Sequence, residues 1–141
     1  MAKLMVLPLL LHVLLTTWIG VRSFNARYAA ARAGKAKLPL IETDPAGWPR
    51  DVRLIGNNFD NQFQSPMLWY ALVAIVLALG LEDSIFAAFG WMFLVTRAAH
   101  LQVHVRGGQV PLRARIYFTG FLTIVCMWLW LTARLFFAVS L

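Results

Sequence analysis

Residues 84–104, SIFAAFGWMFLVTRAAHLQVH, decide the fold. The stretch is apolar from Ile85 to Val95 and, with its flanks, has the roughly 20 residues that a helix needs to cross a bilayer. Its last two turns carry Arg97, His100 and His104 at i, i+3 and i+7, so the three share one face of that helix. Polar side chains are expensive within a membrane helix and normally turn inward, where they mark a functional path or a helix contact. The stretch therefore reads as one span of a bundle with polar work at one of its ends.

Outward from it, three further spans are expected. Residues 4–22 are almost wholly apolar; Lys3 resembles the start of a signal peptide, but no small-residue cleavage site precedes Arg22, which predicts a retained first span. Residues 52–80 begin polar, with Asn57, Asn58, Asp60, Asn61, Gln62 and Gln64, and become apolar from Met67 onward. Residues 112–139 form the fourth span, entered through Pro111, a residue suited to a helix start. Between the first two spans, residues 23–51 form a basic loop in which Pro39, Pro45, Gly47 and Pro49 predict a non-helical connection. Glu82-Asp83 makes an acidic turn, and Arg106-Gly107-Gly108 a tight break.

The composition agrees with lipid as solvent. The chain of 141 residues is 60% hydrophobic, above the roughly 45–50% apolar share of an ordinary soluble domain. Its length leaves room for one domain, 1–141, of all-α, four-helix-bundle architecture. A net charge of +7 would suit nucleic acid, but the basic residues gather between the apolar runs, as membrane topology requires, and no nucleic-acid partner is expected. Both basic connections fall on one side of an even-numbered bundle, which the positive-inside rule makes cytoplasmic, with both termini on the other side. Arg106 and Arg115 read as interfacial anchors and Arg134 as a snorkelling residue near the outer end of the fourth span. The single cysteine, Cys126, excludes an intrachain disulfide and reads as a small buried hydrophobe.

Three spans bring polar groups to one depth. Asn57, Asn61 and Gln64, at i, i+4 and i+7, share a face of the second; Arg97, His100 and His104 share one on the third; Arg113 and Tyr117, four apart, open the fourth. Amides, imidazoles, guanidiniums and a phenol would together suit an anionic polar ligand, because arginine pairs with carboxylates bidentately. The same groups serve equally as glue between helices. His100 and His104 have a spacing used in zinc sites, but no third ligand is fixed by the sequence and no metal is expected. His12 sits near the middle of the first span, away from that depth.

The pattern Arg97-x-x-His100, His104, Pro111-x-Arg113, Tyr117, with Asn57 to Pro66 in the second span, resembles the MAPEG family, the membrane-associated proteins of eicosanoid and glutathione metabolism, in its bacterial form. The resemblance covers nearly the whole chain. It implies a homotrimer of four-helix bundles in an inner membrane, with glutathione as co-substrate held between protomers near the cytoplasmic face and a lipophilic small molecule entering from the bilayer. Arg113 would then be the catalytic arginine that stabilises the glutathione thiolate. Asn57, Asn61, Gln64, Arg97, His100, His104 and Tyr117 would position the peptide, and Arg22 would reach it from the end of the first span. Gln64 stands where the family usually has a glutamate, with Asp60 one turn earlier as its substitute, and His104 stands where several members have tyrosine. The alternative is a non-catalytic membrane protein using the same scaffold to bind a lipid headgroup or a partner helix.

Overall fold

The computed structural model describes residues 1–107 and 109–137. The described residues are helical and contain no strand: α1 (Ala2–Arg32), a single turn α2 (Leu38–Ile41), α3 (Arg50–Asp60), α4 (Ser65–Ala78), α5 (Ser84–Arg106) and α6 (Val110–Phe136). Helices α1, α5 and α6 are each long and apolar enough to cross a membrane, which makes the chain an integral membrane protein. Large apolar side chains such as Leu14, Val95 and Leu129 are exposed on their outer faces, where lipid rather than water is the natural neighbour.

Two expectations are corrected. Helix α1 does not stop at residue 22 but continues to Arg32 through Ala26, Ala29, Ala30 and Ala31, strong helix formers that need no apolar run to stay helical. Only the later part of the predicted loop is irregular. There Asp44 accepts from the Ala46 amide at 2.7 Å, capping a 3₁₀ turn over Pro45–Gly47. The predicted second span, 52–80, is likewise not one helix. It breaks at a 3₁₀ turn, Asn61–Phe63, and at Gln64, whose ψ of −107° lies outside the helical region. Pro66 sits in the first turn of α4, where the missing N–H costs nothing.

Helices α3 and α4 follow one another along α1, Tyr70 of α4 meeting His12 of α1. Phe59 of α3 meets Gly20 of α1, and Arg27 of α1 reaches Gly56 of α3, so the two helices are antiparallel. Helices α5 and α6 form an antiparallel hairpin that turns at Gly107, whose φ of +71° is one that side chains other than glycine rarely adopt. Trp69, Leu72 and Val76 of α4, Phe86 and Phe93 of α5, and Met127 of α6 form the core, with Met5 added from α1. His12 is fully buried at the α1–α4 contact, with Nδ1 2.6 Å from the Tyr70 hydroxyl, so this mid-span histidine is a satisfied packing residue on one edge.

The far end of the hairpin is held by one carboxylate. Asp83 Oδ1 accepts from the Ile85 and Phe86 amides, both at 2.9 Å, and so caps α5. Its Oδ2 accepts from Trp130 Nε1 at 2.9 Å and from Arg134 Nη1 at 2.5 Å, both on α6. Arg134 is thus an ion-pair partner of the acidic turn rather than a snorkelling residue.

The two hairpin helices approach closely at Gly120, where an added Cβ would lie 2.7 Å from Thr96 Oγ1. That hydroxyl is already committed to the Phe93 carbonyl at 2.7 Å. Gly120→Ala is expected to force the two helices apart and to lower stability by about 1–3 kcal/mol, read as thermal unfolding of helicity in detergent. An unchanged midpoint would show that the hairpin accommodates the methyl.

Candidate functional site

The hairpin turn and the break at Gln64 fall at the same end of the molecule, where most of the basic residues gather, and this places a groove there. It has a volume of about 640 Å³ and is lined by Asn61, Gln64, His100, His104, Val110, Arg113, Ala114, Arg115, Tyr117 and Phe118. Each side chain arrives by a local rule. Helix α5 presents His100 and His104 on one face, one turn apart, with Nε2 of the first 3.3 Å from Nδ1 of the second. Helix α6 starts at Val110, and its first turns carry Arg113 and Tyr117, again one turn apart. The Tyr117 ring packs 5.7 Å from that of His100, centroid to centroid, which ties the two helix faces together. The break after α3 turns Asn61 and Gln64 toward them.

Electrostatically the groove is one-sided. Arg113 and Arg115 line it and, among the described residues, no carboxylate does. The N-terminus of α6 adds the positive end of a helix dipole, since Val110 is itself a lining residue. His100 is 3% exposed, so its ring is part of the packed floor of the groove.

Arg97 lies beneath this groove rather than in its wall. It is 2% exposed, and its Nη2 donates to the Asn61 carbonyl at 2.9 Å and to Gln62 Oε1 at 3.4 Å. Gln62 is held in turn by Asn58, donating from Nε2 to that residue's carbonyl at 3.0 Å and to its Oδ1 at 3.1 Å. A guanidinium inside a membrane protein is therefore surrounded by neutral carbonyls, one of them a backbone group freed because α3 ends before it. Arg97 fixes the 3₁₀ turn, and the turn carries Asn61 into the groove.

The predicted residues divide accordingly. Asn61, Gln64, His100, His104, Arg113 and Tyr117 meet in the groove. Asn57 does not: the helix that would have put it on the face of Asn61 and Gln64 ends at Asp60, and its side chain is exposed elsewhere on α3. Arg22 does not either, because α1 runs on past it; it is exposed, with its guanidinium 5.0 Å from the centroid of the Trp18 ring. Asp60 is exposed and outside the groove, so it does not stand in for an acid at Gln64. Arg115, read as an anchor, is a lining residue. Asn58 and Gln62 were not singled out, although their spacing of four was the available signal. Among the described residues no three His, Cys, Asp or Glu side chains gather as a metal site would need.

Further along α6, away from its N-terminus, the lining turns apolar and α4 joins it. Leu68, one turn after Gln64, joins Phe121, Ile124, Val125, Trp128, Leu129 and Thr132 around a second recess of about 360 Å³. The polar, cationic groove and the apolar recess thus share helix α6, with Phe118 lining the one and Phe121 the other.

Comparison with known proteins completes the description. No curated protein and no solved structure matches the chain. The model of the MAPEG family matches residues 5–133, nearly the whole chain, and so covers both the groove and every helix that builds it: the protein belongs to the MAPEG family.

Proposed function

We propose that the protein binds glutathione or a similar anionic thiol in the groove and transfers it to, or reduces with it, a lipophilic electrophile drawn from the bilayer. Family membership supports a glutathione-related activity in a membrane. The observation that carries the finer reading is the convergence of Asn61, Gln64, His100, His104, Arg113 and Tyr117 on one cavity.

In this reading Arg113 faces the sulfur. A free thiol near neutral pH is only a few per cent thiolate, and a neighbouring guanidinium stabilises the anion, so more of the nucleophile is present. Asn61 and Gln64 offer amide donors and acceptors to the peptide, the two imidazoles and Tyr117 hold the remaining polar atoms, and Arg97 keeps the Asn61 turn in place. The apolar recess beside Leu68 and Trp128 receives the electrophile's hydrocarbon part, which bridges a water-soluble thiol and a lipid-soluble partner. We assign the protein to an inner membrane as a trimer, its basic end cytoplasmic, with α3 and α4 together completing a fourth crossing.

The test is titration of glutathione into the purified protein in detergent, by calorimetry together with ultraviolet absorbance of the thiolate. Saturable binding with a growing thiolate band is the expected result. No heat and no band at millimolar glutathione would remove the thiol from the proposal and favour the non-catalytic alternative, a scaffold that binds an anionic headgroup.

A further inference from the structure

The charge inventory of the groove says more about its ligand than that it is anionic. Resting on the thiol-binding reading above, we propose that the site takes a thiol with an unbalanced negative charge and makes no use of a ligand ammonium group: a polyanionic thiol whose amine is absent or blocked binds at least as well as a zwitterionic one.

The chain has six acidic residues, and none lines the groove. Glu82 and Asp83 belong to the turn that opens α5, the helix end opposite His100 and His104, and Asp83 is committed to Arg134 and to the α5 cap. Glu42, Asp44 and Asp51 lie in the connection between α1 and α3 or at the start of α3. Asp60 is adjacent in sequence to Asn61, yet it is exposed and outside the cavity.

Against this stand Arg113 and Arg115 in the wall and Arg97 behind it, the last held only by the carbonyl oxygens of Asn61 and Gln62. A ligand carboxylate or phosphate brought here meets cations that no acid on the chain neutralises, so its charge is used in full. A ligand ammonium meets only amides and rings for acceptors and lies within the field of the guanidiniums, where like charges repel. Among the charged groups of a ligand, the lining that this chain supplies thus favours the negative ones. Gln64 is the position where this is decided, because it is exposed, lines the groove, and differs from a glutamate by one charge at nearly constant shape.

The experiment compares Kd for glutathione and for glutathione acetylated on its amine, in the full-length protein and in Gln64→Glu, with Asp60→Asn as a control. The wild type is expected to bind the acetylated thiol as tightly as glutathione or more so, and Asp60→Asn to leave that ratio unchanged. Gln64→Glu, by supplying an ammonium partner, is expected to turn the ratio toward glutathione by about tenfold, the value of one charge-assisted hydrogen bond. Wild-type preference for unmodified glutathione by tenfold or more would overturn the inference and leave the thiol reading intact. So would a ratio in Gln64→Glu no different from wild type, or a ratio that depends on Asp60. Binding of neither thiol would overturn both readings together.

Discussion

Replacing Arg113 by alanine is expected to lower thiol-transfer turnover by about two to three orders of magnitude, the usual effect of removing a group aimed at developing or resting negative charge in an active site. Two contributions add. Without the guanidinium the bound thiol reverts toward its ordinary ionisation, so most of it is protonated near neutral pH. The groove also loses one of its two lining guanidiniums, and with it affinity for the anion. The side chain is only half-buried, so water screens part of its field, which argues against an effect much beyond that range. Arg113→Lys separates the contributions: a point charge retains some thiolate stabilisation but not the fork geometry, so partial turnover should return. Single-turnover kinetics with an aromatic electrophile, read beside the thiolate band, measures both. Wild-type turnover in Arg113→Ala would transfer the role elsewhere in the groove, with Arg115 next to be replaced.

The second large effect concerns stability. Asp83→Ala should cost about 3–5 kcal/mol, because it removes a helix cap and leaves Arg134, whose side chain is 15% exposed, without its counter-charge. Asp83→Asn keeps an oxygen for the Ile85 and Phe86 amides and should cost clearly less. The double variant Asp83→Ala with Arg134→Met should recover much of the loss, since the expensive species is the lone buried charge and not the absence of the pair. Reversible unfolding in mixed micelles supplies these numbers. A change under 0.5 kcal/mol in Asp83→Ala would mean that water already satisfies the guanidinium. The groove lies at the other end of the hairpin, so glutathione affinity should be nearly unaffected, and that contrast makes Asp83 a control for Arg113.

The sequence was most informative where helices are regular. Helices α5 and α6 follow from their apolar runs, and because 3.6 residues make a turn, the spacings put His100 with His104 and Arg113 with Tyr117 on shared helix faces, which the fold then brings to one groove. It misled where a local rule competes with polarity. The alanines after Ser23 keep α1 helical through the first part of a segment that Pro39, Pro45, Gly47 and Pro49 marked as a loop, and so Arg22 ended on a helix flank. Ser65-Pro66 announces a helix start, and reading residues 52–80 as one helix put Asn57 on a face that does not exist. Of the neutral cage around Arg97 only the Asn58–Gln62 pair was legible, through its spacing of four; the main acceptor is the backbone carbonyl of Asn61, freed by a break that no side chain encodes alone.

That break has a mechanical consequence for the surrounding lipid. Fourteen residues make α4 about 21 Å long, against about 46 Å for α1, whereas the hydrocarbon core of a bilayer is roughly 30 Å thick. If α3 and α4 complete the fourth crossing as proposed, the acyl chains alongside α4 would face a hydrophobic mismatch, to be relieved by thinning of the leaflet or by headgroups and water sinking toward Gln64. Either response would draw the aqueous boundary down to the polar turn on that flank. A dent in the membrane beside α4 would let a dissolved molecule and a lipid-borne one meet without either leaving its own phase.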